Sequence, residues 1–266
     1  QIDMLKKKII NNKMKAAVLF KNKSELTIIN NLTIPKLKKG QVLIKLAYSG
    51  VCHSQLMEID GLRGKDRYLP HLLGHEGSGK VIDIGIGVKK IKKNDLVVLG
   101  WIKGKGIDTN GGIYKYKNKI INSGPVTTFS TFTIVSENRI IKLPKQYSLR
   151  EAVLFGCAIP TGAGMIFNQI KNVREKTICI TGLGGVGFMA LIACKALNCK
   201  KIIAIDINNK KLKMAKDLGA NYTINYNNKN LKSKINKITN SKGVDYGVDC
   251  AGKVSTIEFS FSIINK

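Results

Sequence analysis

The fold is decided by residues 177–187, which read TICITGLGGVG. Five uncharged residues come first, and glycines then stand at positions 182, 184, 185 and 187. A continuous uncharged run of this length, rich in apolar side chains, is typical of a strand in a buried parallel sheet. A glycine-rich turn directly behind such a strand predicts the strand, turn and helix that open a nucleotide-binding α/β domain.

The glycines follow the pattern G-x-G-x-x-G, which is suited to holding a dinucleotide. Gly182 permits the tight turn, Gly184 lets the backbone approach a pyrophosphate, and Gly187 lets helix and strand pack closely. The helix N-terminus offers N–H groups and the positive end of its dipole to phosphates, so Gly185 and Val186 are also candidate cofactor-binding residues. The alternative is a βαβ unit whose glycines serve only packing.

An acidic residue stands where such a unit holds the adenosine ribose. Asp206 ends a predicted strand over residues 201–206 and lies 19 residues after Gly187. Its carboxylate would accept hydrogen bonds from the ribose hydroxyls and repel a 2′-phosphate, which favours NAD over NADP. Lys211, one turn into the next predicted helix, is a further candidate for contact with the same ribose.

Strands and helices alternate from residue 173 onwards and predict a right-handed, doubly wound parallel (Rossmann) sheet. Helices are expected over 185–197 and 210–218, the second ended by Gly219. Further strands are expected over 222–224 and 246–250. Only four strands are predicted in this α/β domain, so its sheet is expected to be incomplete at the C-terminus.

The chain before this domain consists of short β-rich runs separated by Gly, Pro and Asn. Regular patterning begins near Met14, and the preceding residues are expected to be an extension. Strands are predicted at 41–47, 80–85, 95–99 and 129–135. The pattern predicts a β-rich, barrel-like domain over 14–165, followed by the nucleotide-binding domain over 166–266.

Composition argues against several classes of protein. The 266 residues are 44% hydrophobic and 23% charged, as in globular proteins. The net charge of +28 could indicate a nucleic-acid partner, but lysines are spread along the chain and arginines are few, so none is expected. No membrane is expected either, because no apolar run approaches the roughly 20 residues of a span. The basic N-terminus lacks the features of a signal peptide, so six scattered cysteines predict reduced thiols in the cytoplasm.

Cys52, His75 and Cys157 are the candidate metal ligands. Two thiolates and an imidazole form a ligand set that suits Zn²⁺, and three protein ligands leave a fourth position for water or substrate. Taken singly, each residue has a simpler interpretation, because isolated cysteines are more often part of a core and a histidine can serve in a turn.

The residues around these ligands remove much of that ambiguity. They resemble the zinc-dependent alcohol dehydrogenases of the medium-chain dehydrogenase/reductase family, over a range from about Met14 to the C-terminus. The matching segments are GHE at 74–76 with Gly79, Gly85 and Val88, GVCHS at 50–54, and GC at 156–157 with TG at 161–162.

The resemblance implies a fold and a set of roles. The N-terminal domain would be GroES-like, and Cys52, His75 and Cys157 would hold one catalytic zinc per chain. A second, structural zinc is not expected, because residues 101–124 contain no cysteine. By the remaining matches, Ser54 would take the alcohol proton, and Glu76 would approach the metal during ligand exchange. Thr161 would pack against the nicotinamide, and His53 would contact the pyrophosphate.

Two positions depart from the family pattern. Met57 stands where a histidine would relay the proton to solvent, and Gln55 replaces the carboxylate that orients the ligand histidine. An amide can still accept a hydrogen bond, but it lacks the charge that raises ligand basicity. Met57 affects the route by which the proton reaches solvent, and Gln55 affects the affinity of the site for the metal.

The resemblance therefore predicts reversible hydride transfer between a small-molecule alcohol and NAD, with an aldehyde or ketone as the product. A zinc-free quinone or enoyl reductase of the same superfamily is the alternative enzyme. An inactive, truncated nucleotide-binding fragment is the alternative outside enzymology. The full-length protein is expected to be a homo-oligomer.

Overall fold

A computed structural model describes residues 13–265, and residues 1–12 of the expected N-terminal extension lie outside this range. The chain divides into two compact units between Cys157 and Ala158. The sequence predicts a domain boundary at 165/166, and those domain limits remain a prediction.

The first unit contains two antiparallel five-stranded sheets. One has the order β4-β1-β2-β7-β8, with strands β1 Lys13–Leu19, β2 Thr27–Thr33, β4 His71–Leu72, β7 Tyr114–Tyr116 and β8 Lys119–Ile121. The other has the order β10-β6-β5-β3-β9, with strands β3 Gln41–Ser49, β5 Gly77–Ile84, β6 Leu96–Leu99, β9 Phe132–Ser136 and β10 Ile140–Lys142.

A short segment before β9 connects the two sheets. Phe129 accepts a backbone hydrogen bond from Ala17 in the first sheet, and Thr131 accepts one from Leu46 in the second. Two buried apolar clusters lie in this unit. One, around Leu32 and Tyr114, joins the two sheets because it includes Leu43 and Ile134 of the second sheet, and the other surrounds Ile44 and Val97. This arrangement confirms the predicted β-rich, GroES-like domain.

Two short helices of this unit lie close in sequence to the predicted metal ligands Cys52 and Cys157. Helix α1, His53–Ile59, follows β3, and helix α2, Leu149–Ala152, leads into a 3₁₀ turn over Val153–Gly156. Neither helix was predicted, because both are too short to show a helical repeat of apolar residues.

The second unit has a four-stranded parallel sheet in the order β13-β12-β11-β14. The order reverses between β11 and β14, which is where open α/β sheets bind their ligands. The strands are β11 Thr177–Thr181, β12 Lys201–Asp206, β13 Tyr222–Asn225 and β14 Tyr246–Asp249. The helices are α3 Ala158–Gln169, α4 Gly185–Ala196, α5 Asn209–Asp217, α6 Leu231–Ile238 and α7 Val254–Ser262.

The structure confirms the predicted doubly wound class and the four strands of this sheet. Helices α4 and α5 lie within a residue of their predicted bounds, and Gly219 has φ +107°, as expected of a helix C-terminus. Helices α3, α6 and α7 were not predicted.

No single helix within residues 13–265 is long and apolar enough to cross a membrane. Only the bent pair Leu149–Gly156 and Ala158–Gln169 meets that test, and it does so by combined length and composition alone.

Glu137 organises the loops beside the second sheet. Its side chain is buried, and its carboxylate accepts backbone N–H bonds from Lys89 at 2.7 Å, Lys90 at 2.8 Å and Ile107 at 2.8 Å. Burial by itself would raise the pKa of this carboxyl, but the three N–H donors and the Lys90 charge outweigh it and lower the pKa.

We expect Glu137→Gln to lower the free energy of unfolding by about 1–3 kcal/mol, because an amide NH₂ would face a backbone N–H. Urea unfolding measures the loss, and Glu25→Gln, at an exposed position, is the control. The stabilisation is complete above the ordinary carboxyl pKa of 4.5 and disappears as the pH falls through the lowered folded-state value. Equal unfolding midpoints for the two variants at pH 7 would contradict this role.

Candidate metal centre and nucleotide-binding turn

Three segments of the first unit bring the predicted metal ligands together. Cys52 is the N-cap residue of α1, His75 lies between β4 and β5, and Cys157 follows the 3₁₀ turn over Val153–Gly156. One ligand atom from each residue lies within 4.8 Å of the other two. Residues far apart in sequence therefore form a compact group of two thiols and one imidazole.

The two ring nitrogens of His75 have different contacts, and Nε2 is the candidate ligand atom. That nitrogen is buried and has no hydrogen-bond partner within residues 13–265, whereas Nδ1 lies 2.6 Å from the Gln55 amide nitrogen. Burial, reinforced by the charge of Arg63, lowers the pKa of the ring. The neutral imidazole is the form that binds metals, and a buried polar atom without a partner is otherwise costly.

Gln55 joins two of the candidate ligands. The side chain is buried, its Oε1 accepts the Cys52 backbone N–H at 2.9 Å, and its Nε2 also lies 3.2 Å from the Ser54 hydroxyl. The amide oxygen is thus used by the helix N-terminus, and the NH₂ group faces His75. The sequence predicted only a weaker acceptor here, whereas the structure shows that the acceptor atom points elsewhere.

The other residues assigned to this centre occupy different environments. Glu76 is buried, and its backbone carbonyl accepts the Gly50 N–H at 3.1 Å. Ser54 is half-buried in the first turn of α1, and His53 beside it is exposed. The roles of these three side chains remain predictions.

The donor set fits zinc better than a harder metal. Thiolate and imidazole ligands suit Zn²⁺, and the buried Nε2 of His75 has no hydrogen-bond partner within residues 13–265. None of the six cysteines forms a disulfide, so both thiols of the group are in the reduced form.

In the second unit, the glycine run forms the expected turn between β11 and α4. Gly182 has φ +93°, and a side chain there would bring its Cβ to 2.6 Å from the backbone nitrogen of Ala251. A Cβ on Gly187 would collide with the Gly182 carbonyl oxygen. By contrast, nothing lies within 4 Å of the position of a Cβ on Gly184, so space is open where a pyrophosphate would approach.

Asp206 has a structural role that the sequence did not reveal. Its Oδ2 accepts the backbone N–H of Leu183 at 2.6 Å, and its Oδ1 accepts that of Asn208 at 2.8 Å. The carboxylate therefore holds the glycine turn while its remaining lone pairs stay available for a ribose. Lys211 lies in the first turn of α5, where its N–H is 3.3 Å from the capping Asn208 side chain.

Two further side chains lie near this turn in the second unit. Thr161 is in the first turn of α3, the helix that packs against α4. Asp249 ends β14 and was not predicted as a site residue. Its Oδ1 is buried without a hydrogen-bond partner within residues 13–265. An acidic residue at the carboxyl end of a parallel strand beside the switch point is the signal that would have identified it.

Comparisons with known proteins agree with both parts of the chain. A family model described as "Alcohol dehydrogenase GroES-like domain" matches residues 38–145, and one described as "Zinc-binding dehydrogenase" matches residues 185–266. An S-(hydroxymethyl)glutathione dehydrogenase of Escherichia coli is 30% identical, over 92% of this chain and 73% of that protein. The chain thus spans about three quarters of the length of this relative.

Solved structures show the same similarity. Benzyl alcohol dehydrogenase from Acinetobacter calcoaceticus superposes with a TM-score of 0.83 and 27% identity, over 95% of this chain and 74% of that one. An alcohol dehydrogenase zinc-binding domain protein from Burkholderia ambifaria superposes with a TM-score of 0.84 and 26% identity, over 94% and 74%.

We expect Gln55→Glu to strengthen zinc binding by about tenfold, because changes to residues that orient metal ligands typically alter metal affinity by at least this factor. A carboxylate accepts hydrogen bonds from both Cys52 N–H and His75 Nδ1–H, which leaves the Nε2 lone pair for the metal. Competition with a chromophoric chelator measures the affinity, and Gln55→Met, which lacks an acceptor at the same length, should weaken it. Equal affinities in all three proteins would contradict the orienting role of this side chain.

Proposed function

Because this chain belongs to the zinc-type alcohol dehydrogenases of the medium-chain dehydrogenase/reductase family, we propose that it transfers a hydride between an alcohol and NAD. The observation that carries the proposal is the convergence of Cys52, His75 and Cys157 around the unpartnered His75 Nε2. The substrate is proposed to be a small-molecule alcohol, or the matching aldehyde or ketone in the reverse direction.

The metal chemistry is assigned to one zinc per chain, held by Cys52, His75 and Cys157. A zinc ion at this position acts as a Lewis acid and lowers the pKa of an alcohol hydroxyl. Burial lowers the pKa of His75, which favours the neutral ring, the form that binds metals. Gln55 holds the ring and the Cys52 backbone in place through its amide.

Ser54 is proposed to accept the alcohol proton. Its hydroxyl lies in the first turn of α1, two residues after Cys52, and it contacts the Gln55 amide. Met57 lies on the same helix and cannot relay a proton. The proton therefore leaves Ser54 by a route that does not use this side chain. Glu76 is proposed to approach the metal when ligands exchange.

The cofactor is proposed to be NAD, bound by its pyrophosphate at the turn over Gly182–Gly187. The N-terminus of α4 supplies N–H groups and a positive dipole end to the phosphates. Asp206 contributes acceptors for the ribose hydroxyls and a negative charge against a 2′-phosphate. Lys211 and Thr161 are proposed as further contacts, with the ribose and with the nicotinamide.

We also propose a cytoplasmic location and, for the full-length protein, a homo-oligomer with no nucleic-acid or membrane partner. The scattered placement of the six cysteines along the sequence favours a reducing compartment. The oligomer and the absence of other partners rest on the family resemblance and on the composition.

The first test is zinc content together with NAD-coupled alcohol oxidation, in wild type and in Cys157→Ser. We expect one zinc per chain in wild type, and loss of both zinc and turnover in the variant. Cys199→Ser, which removes a half-buried thiol outside the metal centre, should change neither. Well-folded wild type without zinc would contradict the proposal and favour a zinc-free reductase. Bound zinc without turnover of any alcohol would favour an inactive fragment.

Cofactor choice is tested at Asp206. Asp206→Asn keeps an amide oxygen for the Leu183 N–H and removes the charge that would repel a 2′-phosphate. We expect NADH binding to weaken by about tenfold, as for the loss of one charge-assisted hydrogen bond, and NADPH binding to strengthen. Fluorescence titration measures both, with Asp217→Asn at an exposed position as the control. An unchanged ratio of the two dissociation constants would show that Asp206 does not select the cofactor.

A further inference from the structure

A second group of side chains suited to binding a metal lies in the first unit and shares no residue with the cysteine centre. Glu58, Asp66 and His71 each place one ligand atom within 4.8 Å of the other two. They come from the last turn of α1, from the loop that follows it, and from β4. The mechanism proposed above uses none of them.

His71 is arranged as metal-binding histidines usually are. The residue is only 6% exposed, and its Nδ1 lies 2.9 Å from the Leu72 carbonyl oxygen, which makes Nδ1 a donor. A backbone carbonyl that accepts from one ring nitrogen directs the other nitrogen towards the metal in many sites. Here the other nitrogen, Nε2, faces Asp66 Oδ2 at 2.8 Å and Glu58 Oε1 at 3.9 Å.

The Glu58 carboxylate is the least satisfied member of the group. It has no hydrogen-bond donor within residues 13–265, and its Oε1 lies 3.9 Å from the Nε2 atom of His71. Burial raises the pKa of this carboxyl, although His71 and Arg63 act in the opposite direction. A cation between the three side chains would offset the cost of burying this charge.

The spacing and surroundings suit a small divalent ion. With metal–ligand distances of about 2.1 Å, two ligands on one ion lie about 3–4 Å apart, which is close to the separations from His71 to Asp66 and to Glu58. All three residues line a cavity of about 460 Å³, which Gln55 and His75 also line and which gives an ion and its remaining water ligands room and access.

We propose that Glu58, Asp66 and His71 form a structural binding site for a divalent first-row metal ion, with manganese as the ion that distinguishes it from the cysteine centre. One imidazole and two carboxylates make a harder donor set than two thiolates and an imidazole. The ion takes the place of the proton that His71 Nε2 shares with Asp66, and this proton is released to solvent.

The site would stabilise the elements that carry two of the zinc ligands. Glu58 is on α1, which begins beside Cys52, and His71 is on β4, which leads to His75. An ion held by both would connect this helix and strand through the loop that carries Asp66. The inference does not depend on catalysis at the cysteine centre.

Manganese binding to the purified chain, followed by the electron paramagnetic resonance signal of free Mn²⁺, tests the proposal. We expect one Mn²⁺ per chain in wild type and in Cys157→Ser, because the thiol is not a ligand of this site. Glu58→Gln should weaken binding at least tenfold, whereas Glu25→Gln should not change it. Glu58 is half-buried, and its carboxylate accepts no hydrogen bond from another group within residues 13–265, so its amide variant is expected to fold.

Thermal unfolding tests the same proposal without relying on the electron paramagnetic resonance signal. Added Mn²⁺ should raise the thermal midpoint of wild type and of Cys157→Ser, but not that of Glu58→Gln. No Mn²⁺ bound to folded wild type would overturn the proposal, leaving His71 and Asp66 as a simple ion pair. Equal binding by Glu58→Gln and Glu25→Gln would also overturn it. Loss of zinc in Cys157→Ser, measured separately, concerns only the proposed dehydrogenase function.

Discussion

The metal centre depends on the two hydrogen-bond contacts of the Gln55 amide. One is accepted from the backbone of Cys52, and the other links the amide nitrogen to the ring of His75. Together they fix the start of α1 against the loop before β5, so that ligands from separate segments keep their relative positions. Because the amide oxygen is used by Cys52, the NH₂ group faces Nδ1 of His75, and in the neutral ring this contact places the proton on Nε2. A metal at Nε2 requires the other tautomer, in which Nδ1 carries the proton.

In the second unit, the glycine turn is likewise held by a hydrogen bond to a side chain in another segment. The Asp206 carboxylate accepts the N–H of Leu183, and the close approach at Gly182 and Gly187 leaves no room for side chains. A charged side chain from the neighbouring strand thus holds a loop whose glycines would otherwise be free to move. The residue that is proposed to select the cofactor also shapes the surface on which the cofactor would lie.

The sequence predicted most reliably the elements whose residue patterns lie within one segment of the chain. Strand β11 and helices α4 and α5 were correct because their apolar residues, glycines and caps lie within single segments. Helix α3 was missed because Pro160, Gly162 and Gly164 give it low helix propensity, and only its packing against α4 compensates for that. Helix α6 had a usable signal in Leu231, Ile235 and Ile238, which recur at helical spacing.

By itself, the sequence determined the four strands and helices α4 and α5 of the second unit, the glycine turn, and Cys52, His75 and Cys157 as candidate ligands. These depend on residue type and on spacing along the chain. Only the tertiary structure decided where the Gln55 oxygen points, that Asp206 holds Leu183, and that Glu58 and Asp66 meet His71. Such contacts join side chains to groups in other segments, and the direction of a hydrogen bond between them depends on backbone positions that exist only after folding.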